Sequence, residues 1–351
     1  MNSKVKSPQC LLPVMACMLL LTGCGLIHEP DSEGCVPSYK VRFRYDRNMK
    51  FADAFAAEVE EVTLHLTDQN GNLVWSKTES GPRLAREGYA MEVDAPPGRY
   101  NLVAWCSSAQ PSTFSAWSDG THDGLQVHFD TELRGDDTEH ISQKLDRLYH
   151  GRETDVEFPD ADGGEYLYTL PLTKDTNHLV ITLQQLSGEP IDHSLVQFEI
   201  TDDNAHLAAD NTPITGRPLT YHQWYSKTII ANISGETQAY AGELSDGSRA
   251  ADNSTFAGVV AELTTSRLMA DSKARLHVYR TDTGATIASI RLIDALLLVM
   301  GVDNTHRLTP QQYLDYKDEY NMTFFLDENH KWLNGLLQIE SWRVVYADQE
   351  V

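Results

Sequence analysis

Strict alternation over short runs is the feature that most limits what this chain can become. Tyr39, Val41, Phe43 and Tyr45 fall on one side of an extended segment, and Lys40, Arg42 and Arg44 on the other. That is the period of a half-buried strand. The pattern returns in Val62, Leu64 and Leu66, in Tyr100, Leu102, Ala104 and Cys106, in Leu179, Ile181 and Leu183, and in Val196, Phe198 and Ile200. Turn signals punctuate the runs. Asn70-Gly71 leads into Leu73-Val74-Trp75, Ala95-Pro96-Pro97-Gly98 joins Tyr89–Val93 to Arg99–Cys106, and Asp282-Thr283-Gly284 joins Ala274–Arg280 to Thr286–Leu292. Many short strands with few helices predict a mainly β chain built from β-sandwiches.

Helical signals are sparse. Asp53 offers an N-cap to Ala54–Ala57. Thr309-Pro310-Gln311-Gln312 combines a hydroxyl cap, Pro at N1 and Gln at N3, predicting a helix to about Glu319. Ile293–Met300 is apolar except for Asp294 and reads equally as a buried strand or a helix. Residues 107–140 lack a clear period and read as a long surface excursion with one strand at Leu125–Phe129. Residues 202–256 are likewise long, polar and poorly patterned. Glu165–Leu172 is an apolar strand, and Thr173-Lys174-Asp175-Thr176-Asn177 reads as a turn near a domain boundary. Asn321–Leu326 and Leu337–Tyr346 close the chain as strands, the latter apolar on both faces with Trp342, Val344 and Tyr346 together.

The N-terminus carries a different signal. Lys4 and Lys6 precede an apolar run from Cys10 to Leu21, too short to span a bilayer, and the run ends in Leu21-Thr22-Gly23-Cys24. This looks like a lipobox, in which Cys24 is acylated and cleavage falls before it; an ordinary signal peptide with a chance cysteine is the alternative. More than one acyl chain is needed for firm anchoring, since each buried methylene contributes about 0.8 kcal/mol. The segments are then a signal peptide at 1–23, a lipidated tether at 24–36, an N-terminal β-sandwich at 37–172 and a C-terminal one at 173–351.

The full chain has 351 residues and a formal charge of −23; loss of the two leader lysines takes it to −25. Such a surface repels nucleic acid and anionic headgroups, which excludes nucleic-acid partners and leaves the lipid on Cys24 as the membrane attachment. In an oxidising compartment, Cys35 and Cys106 are the cysteines left to pair. A bridge would contribute about 4 kcal/mol in the chain-entropy model, and two buried free thiols are the alternative.

Chemistry is scarce. The chain contains no Gly-x-Ser-x-Gly elbow, phosphate loop, dinucleotide fingerprint or His-Glu-x-x-His. His122 and His128 sit six apart without flanking ligands and read as a surface pair. Asp160-Ala161-Asp162-Gly163-Gly164-Glu165 resembles part of a calcium loop but lacks the full spacing, and an acidic turn before a strand explains it. No metal or cofactor is expected. Of Trp105, Trp117, Trp224, Trp332 and Trp342, core packing explains Trp105 and Trp342, and Trp224 is kept as a candidate ligand contact.

Ordered landmarks support a resemblance. They run from Cys35 through Val41–Met49, Ala52-Asp53-Ala54-Phe55, Val59, Leu64, Asn70-Gly71 and Tyr100–Cys106. They continue with Leu148-Tyr149-His150-Gly151, Leu170–Lys174, Gln312-Tyr313-Leu314-Asp315, Tyr320, Phe324-Phe325-Leu326 and Trp342. This order resembles the anchor subunits of Bacteroidales type V fimbriae, the FimB-type minor-fimbria anchor family. The resemblance implies two tandem transthyretin-like β-sandwiches and a non-enzymatic outer-membrane lipoprotein. Such a protein tethers a fimbrial shaft of pilin subunits and limits its length. Shaft subunits in such systems lose an N-terminal segment to an Arg-specific protease, whereas anchors keep it. Arg42, Arg44 and Arg47 are the bonds in question, and a folded first strand should protect them. A surface glycan-binding lipoprotein is the alternative function, suggested by the tryptophans and the lipid tether.

Overall fold

The structure, a computed structural model, describes residues 36–135, 138–233, 254–303 and 307–345. Cys24 and Cys35 lie outside the described residues. In chain order the first strands are β1 (Ser38–Arg44), β2 (Glu61–Thr67), β3 (Leu73–Ser80), β4 (Met91–Val93), β5 (Gly98–Ser107), β6 (Phe114–Trp117), β7 (Gln126–Phe129), β8 (Glu132–Leu133), β9 (Glu139–Ile141), β10 (Leu148–Phe158) and β11 (Glu165–Lys174). The remainder are β12 (Thr176–Gln185), β13 (Val196–Asp202), β14 (His206–Ala208), β15 (Leu219–His222), β16 (Tyr225–Ile233), β17 (Ser254–Ser266), β18 (Arg275–Arg280), β19 (Thr286–Arg291), β20 (Glu319–Leu326), β21 (Trp332–Ile339) and β22 (Trp342–Val345).

These strands form a seven-stranded sheet in the order β3-β2-β5-β10-β11-β1-β4 and two six-stranded sheets, β16-β17-β12-β20-β21-β22 and β19-β18-β13-β15-β9-β8. A three-stranded sheet, β14-β7-β6, completes the set. The fold is mainly β with packed sheets, as the alternation requires.

The first core lies within the seven-stranded assembly. Tyr39, Val41, Phe43 and Tyr45 meet Val62, Leu64, Leu66, Leu102, Ala104 and Cys106 there. Tyr39 stacks on Phe158 with ring centroids 4.4 Å apart, and Tyr45 meets Tyr149 edge-on at 5.0 Å. The strand β1 sits between β11, parallel to it, and β4, antiparallel to it. The stretch at 95–98 is therefore not a hairpin: β4 pairs with β1, while β5 pairs with β2 and β10.

The second core joins the six-stranded sheets through Leu179, Ile181, Phe198, Ile200, Tyr221, Val259, Leu276, Met322 and Phe324. Val103, Trp105 and Leu148 belong to this core as well. Alternate residues of β5 thus serve opposite cores, which explains why β5 is buried almost throughout.

Several expectations are corrected here. Residues 107–140 are not a surface excursion: β6 to β9 lie within 107–141, with Leu125, Val127, Phe129 and Ile141 buried. Their partners come from the other polar stretch, β7 pairing with β14 and β9 with β15. Each strand is only 2 to 4 residues long, too short for a readable period. Residues 173–177 are not an exposed turn; β11 runs to Lys174, β12 begins at Thr176, and all five residues are buried. The C-terminal strand is a hairpin, β21 to β22, because Glu340 takes φ +53°.

Local chemistry explains the helices. Residues 292–298 are helical, which resolves the Ile293–Met300 ambiguity. The helix Pro310–Tyr316 has the expected capping box, Thr309 with Gln312, but stops three residues before Glu319. Asp53 Oδ1 accepts from the amides of Phe55 and Tyr45, both at 3.0 Å, and the helical turn shifts to Phe55–Glu58.

Candidate functional site

Two regions of this fold stand out: the joint between the cores and the two ends of the described chain. The joint is built on Asp175, which has no exposed surface. Its amide donates to Leu148 O at 2.7 Å. Its Oδ1 accepts from Asn211 Nδ2 at 2.8 Å, with Arg267 Nε 3.9 Å away. Arg267 is held in turn by Asp315 through a two-pronged contact at 2.9 and 2.8 Å. Burial pushes the Asp175 carboxyl up to about 7, against the opposing pull of Arg267 and Asn211. Lys174 pairs with Asp318, and Asn177 Nδ2 donates to Ser266 O at 3.0 Å. The strand that leaves the first core is thereby fixed to three separate elements of the second.

A cleft of about 390 Å³ lies beside this joint, lined by residues including Tyr45, Glu58, Arg147, Lys174, Lys317 and Asp318. Arg147 pairs with Glu58 at 3.0 Å and Lys317 with Glu340 at 3.5 Å. Its charges are largely matched within the protein, which suits a structural seam better than a ligand pocket.

At the N-terminal end, Tyr39, Phe43 and Tyr45 fix β1 in the core, while Arg42 and Arg44 point to solvent. Both arginines belong to the ladder with β11, Arg42 opposite Thr169 and Arg44 opposite Pro171. Arg47 follows the strand and donates to Thr173 Oγ1 at 3.2 Å. At the C-terminal end, β22 is the outer strand of its sheet. Trp342 there is 46% exposed, which corrects its reading as a core residue. Trp332 is packed edge-on against Phe324 at 5.2 Å and donates to Leu336 O.

The other expected site residues are placed as follows. Cys106 is a buried free thiol whose pKa burial raises well above the ordinary value. It lies on β5 opposite Tyr149, at the far end of β1 from Ser38. Cys35, its expected partner, lies outside the described residues. Trp224 is half-buried, with Lys144 Nζ 5.0 Å above its ring, so one face of the candidate contact is already occupied. The acidic turn at 160–165 holds β1: Gly164 O accepts from Ser38 N at 2.9 Å, and Glu165 pairs with Lys40 at 2.7 Å.

His122 bonds to Asp123, and His128 packs against His206 with centroids 4.2 Å apart. Among the described residues no three His, Cys, Asp or Glu side chains converge to hold a metal ion. The contacts His128–His206 and His140–His222, with the Asp175 joint, are what sequence reasoning missed. No local spacing links these residues, because strand pairing brings them together across long separations.

Several solved structures share this architecture. A candidate adhesin from Bacteroides thetaiotaomicron is 31% identical with a TM-score of 0.74, the match covering 90% of this chain and 99% of that one. A candidate polysaccharide-binding protein from the same species is 26% identical with a TM-score of 0.71, covering 89% and 99%. The fimbrial anchor protein Mfa2 from Porphyromonas gingivalis is 14% identical with a TM-score of 0.62, covering 89% and 99%, a likeness of fold. No curated protein sequence matches. Residues 32–348 match the family of fimbrillin-A associated anchor proteins Mfa1 and Mfa2, and the chain belongs to that family.

Proposed function

We propose that this protein is a non-enzymatic anchor subunit that tethers a fimbrial shaft to the outer membrane through acylated Cys24 and limits shaft length. Family membership over nearly the whole mature chain supports an anchor or accessory role. The observation that carries the reading is the placement of β1. It is seated between β4 and β11 with its aromatic residues in the core. A groove filled by the chain's own strand takes no strand from a neighbour, which suits the terminal member of an assembly. Attachment to shaft pilins then falls to another surface, and we assign it to residues 337–351, where β22 is the outer strand of its sheet among the described residues and carries an exposed tryptophan.

Deletion of the gene, followed by electron microscopy, tests the tether: fimbriae should be shed into the medium. Fimbriae that stay attached at normal length would overturn it. Cys24→Ala should move the protein out of the outer-membrane fraction, and continued fractionation with that membrane would overturn the lipid anchor.

A surface glycan-binding role is the second reading. It is favoured by the 26% identical structure described as a candidate polysaccharide-binding protein and by the half-exposed Trp117 and Trp342. Co-purification of pilins in preference to polysaccharide separates the two.

A further inference from the structure

The segment 107–141 is stitched to the second core by two histidine contacts. His128 on β7 and His206 on β14 are direct partners in the antiparallel register, with ring centroids 4.2 Å apart. His140 on β9 and His222 on β15 stack at 5.1 Å, and His140 Nδ1 lies 2.8 Å from His222 Nε2. One of those nitrogens must donate and the other accept, so the contact holds one proton between two rings. With both rings protonated, two N–H groups would face each other at that distance and the bond is lost.

The surroundings decide how many protons the seam tolerates. Glu139 Oε2 on β9 lies 3.3 Å from His206 Nε2, and its Oε1 lies 3.4 Å from Arg217. Among the described residues His206 Nδ1 is buried without a hydrogen-bond partner, and His128 Nε2 contacts Gln126 Oε1 on its own strand at 3.0 Å. From β13, Gln197 and Glu199 approach His222 Nδ1 at 3.1 and 3.5 Å. Tyr279 on β18 donates to Glu199 at 2.8 Å, and His277 stacks on Tyr279. Thr138 Oγ1 lies 2.7 Å from His140 Nε2, and Arg134 and Glu132 at the β8 end act on His222 through space. The first proton on each contact therefore meets a carboxylate, Glu139 or Glu199. The second meets an imidazolium, with Arg217 or Arg134 behind it. Burial, then the neighbouring positive groups, holds His128 and His222 below the ordinary histidine value.

We propose that these paired histidines form an acid-operated latch that holds segment 107–141 on the second core at pH 7.5 and loosens it at pH 5.0. Four histidines on four strands of one seam, two from each polar stretch, are the juxtaposition that carries this.

Hydrogen exchange on the mature full-length protein tests it at the two pH values, after correction for the intrinsic rate. Peptides covering β7, β9, β14 and β15 should lose protection by about 10-fold or more at pH 5.0, with β2, β12 and β20 changing much less. Equal loss over all sheets would assign the effect to the buried His65 and His150 and overturn the latch, as would no loss in the seam. The double variant His128→Gln/His140→Gln should keep its seam protection at pH 5.0; acid loosening as large as in the parent would also overturn it. Should that variant fail to fold at pH 7.5, His128→Gln alone, at a half-buried position, carries the same comparison for the β7–β14 contact.

Discussion

Asp175 is the residue with most at stake. Its folded pKa, pushed up to about 7, lies above the ordinary carboxylate value. The fold therefore favours the protonated form, and stability falls as pH rises from about 4 to about 7. Asp175→Asn removes that cost. Its stability relative to the parent should improve by up to about 3 kcal/mol between pH 5 and pH 8, measured by urea unfolding of both proteins. A difference independent of pH would contradict this assignment. The buried His65 and His150 act in the opposite sense. Desolvation lowers them to about 4 and about 3, so stability present above about 6.5 is lost as pH falls toward those values. Cys106 gives a second residue-scale expectation: in unreduced protein its thiol should alkylate readily only after denaturation. A cross-linked Cys35–Cys106 peptide would refute that. In the sequence Asp175 looks like part of a turn because its polar neighbours are those that mark turns. Polarity alone does not distinguish a surface loop from a buried, hydrogen-bonded crossing.

At the scale of elements, the long alternating runs were legible, and so was the capping box at Thr309. The C-terminal hairpin was not, because its turn is made by Glu340 and Ser341 without a glycine or proline to mark it. Its two tryptophans should separate by experiment. Trp332→Ala removes a ring packed on Phe324 and should cost about 2–4 kcal/mol of stability. Trp342→Ala, at an exposed edge position, should cost less than about 1 kcal/mol while reducing co-purification of shaft subunits. Chemical denaturation and pull-down on both variants check the pair; undiminished pilin recovery with Trp342→Ala would remove β22 from the attachment surface. For β1, an Arg-specific protease should leave the bonds after Arg42 and Arg44 intact in folded protein, since both lie in the ladder with β11. Early cleavage there, read by N-terminal sequencing of the digest, would mean that the strand is not securely seated.

For the whole molecule, the sequence places a domain boundary near Thr173 but gives no sign that the cores share a sheet. Trp105 and Val103 sit on β5 yet pack with the second core, and β9 extends a sheet that belongs to it. Residues 37–172 expressed alone would expose Val103, Trp105, Leu125, Val127, Phe129 and Leu148. That fragment should aggregate while the full mature chain stays soluble, as light scattering would record; a monomeric, folded fragment would show that the first core stands alone. The parallel pairing of β1 with β11 has one more consequence. A pull applied on the N-terminal side enters the fold at Ser38, the start of β1, and passes onward through Lys174, the end of β11. Because the two strands run the same way, those points lie at opposite ends of the ladder. Tension then loads the hydrogen bonds from Ser38 to Arg44 together, in shear. An antiparallel pair pulled at the corresponding points would open one bond at a time, like a zip. The ladder resists such a pull with the whole strand at once.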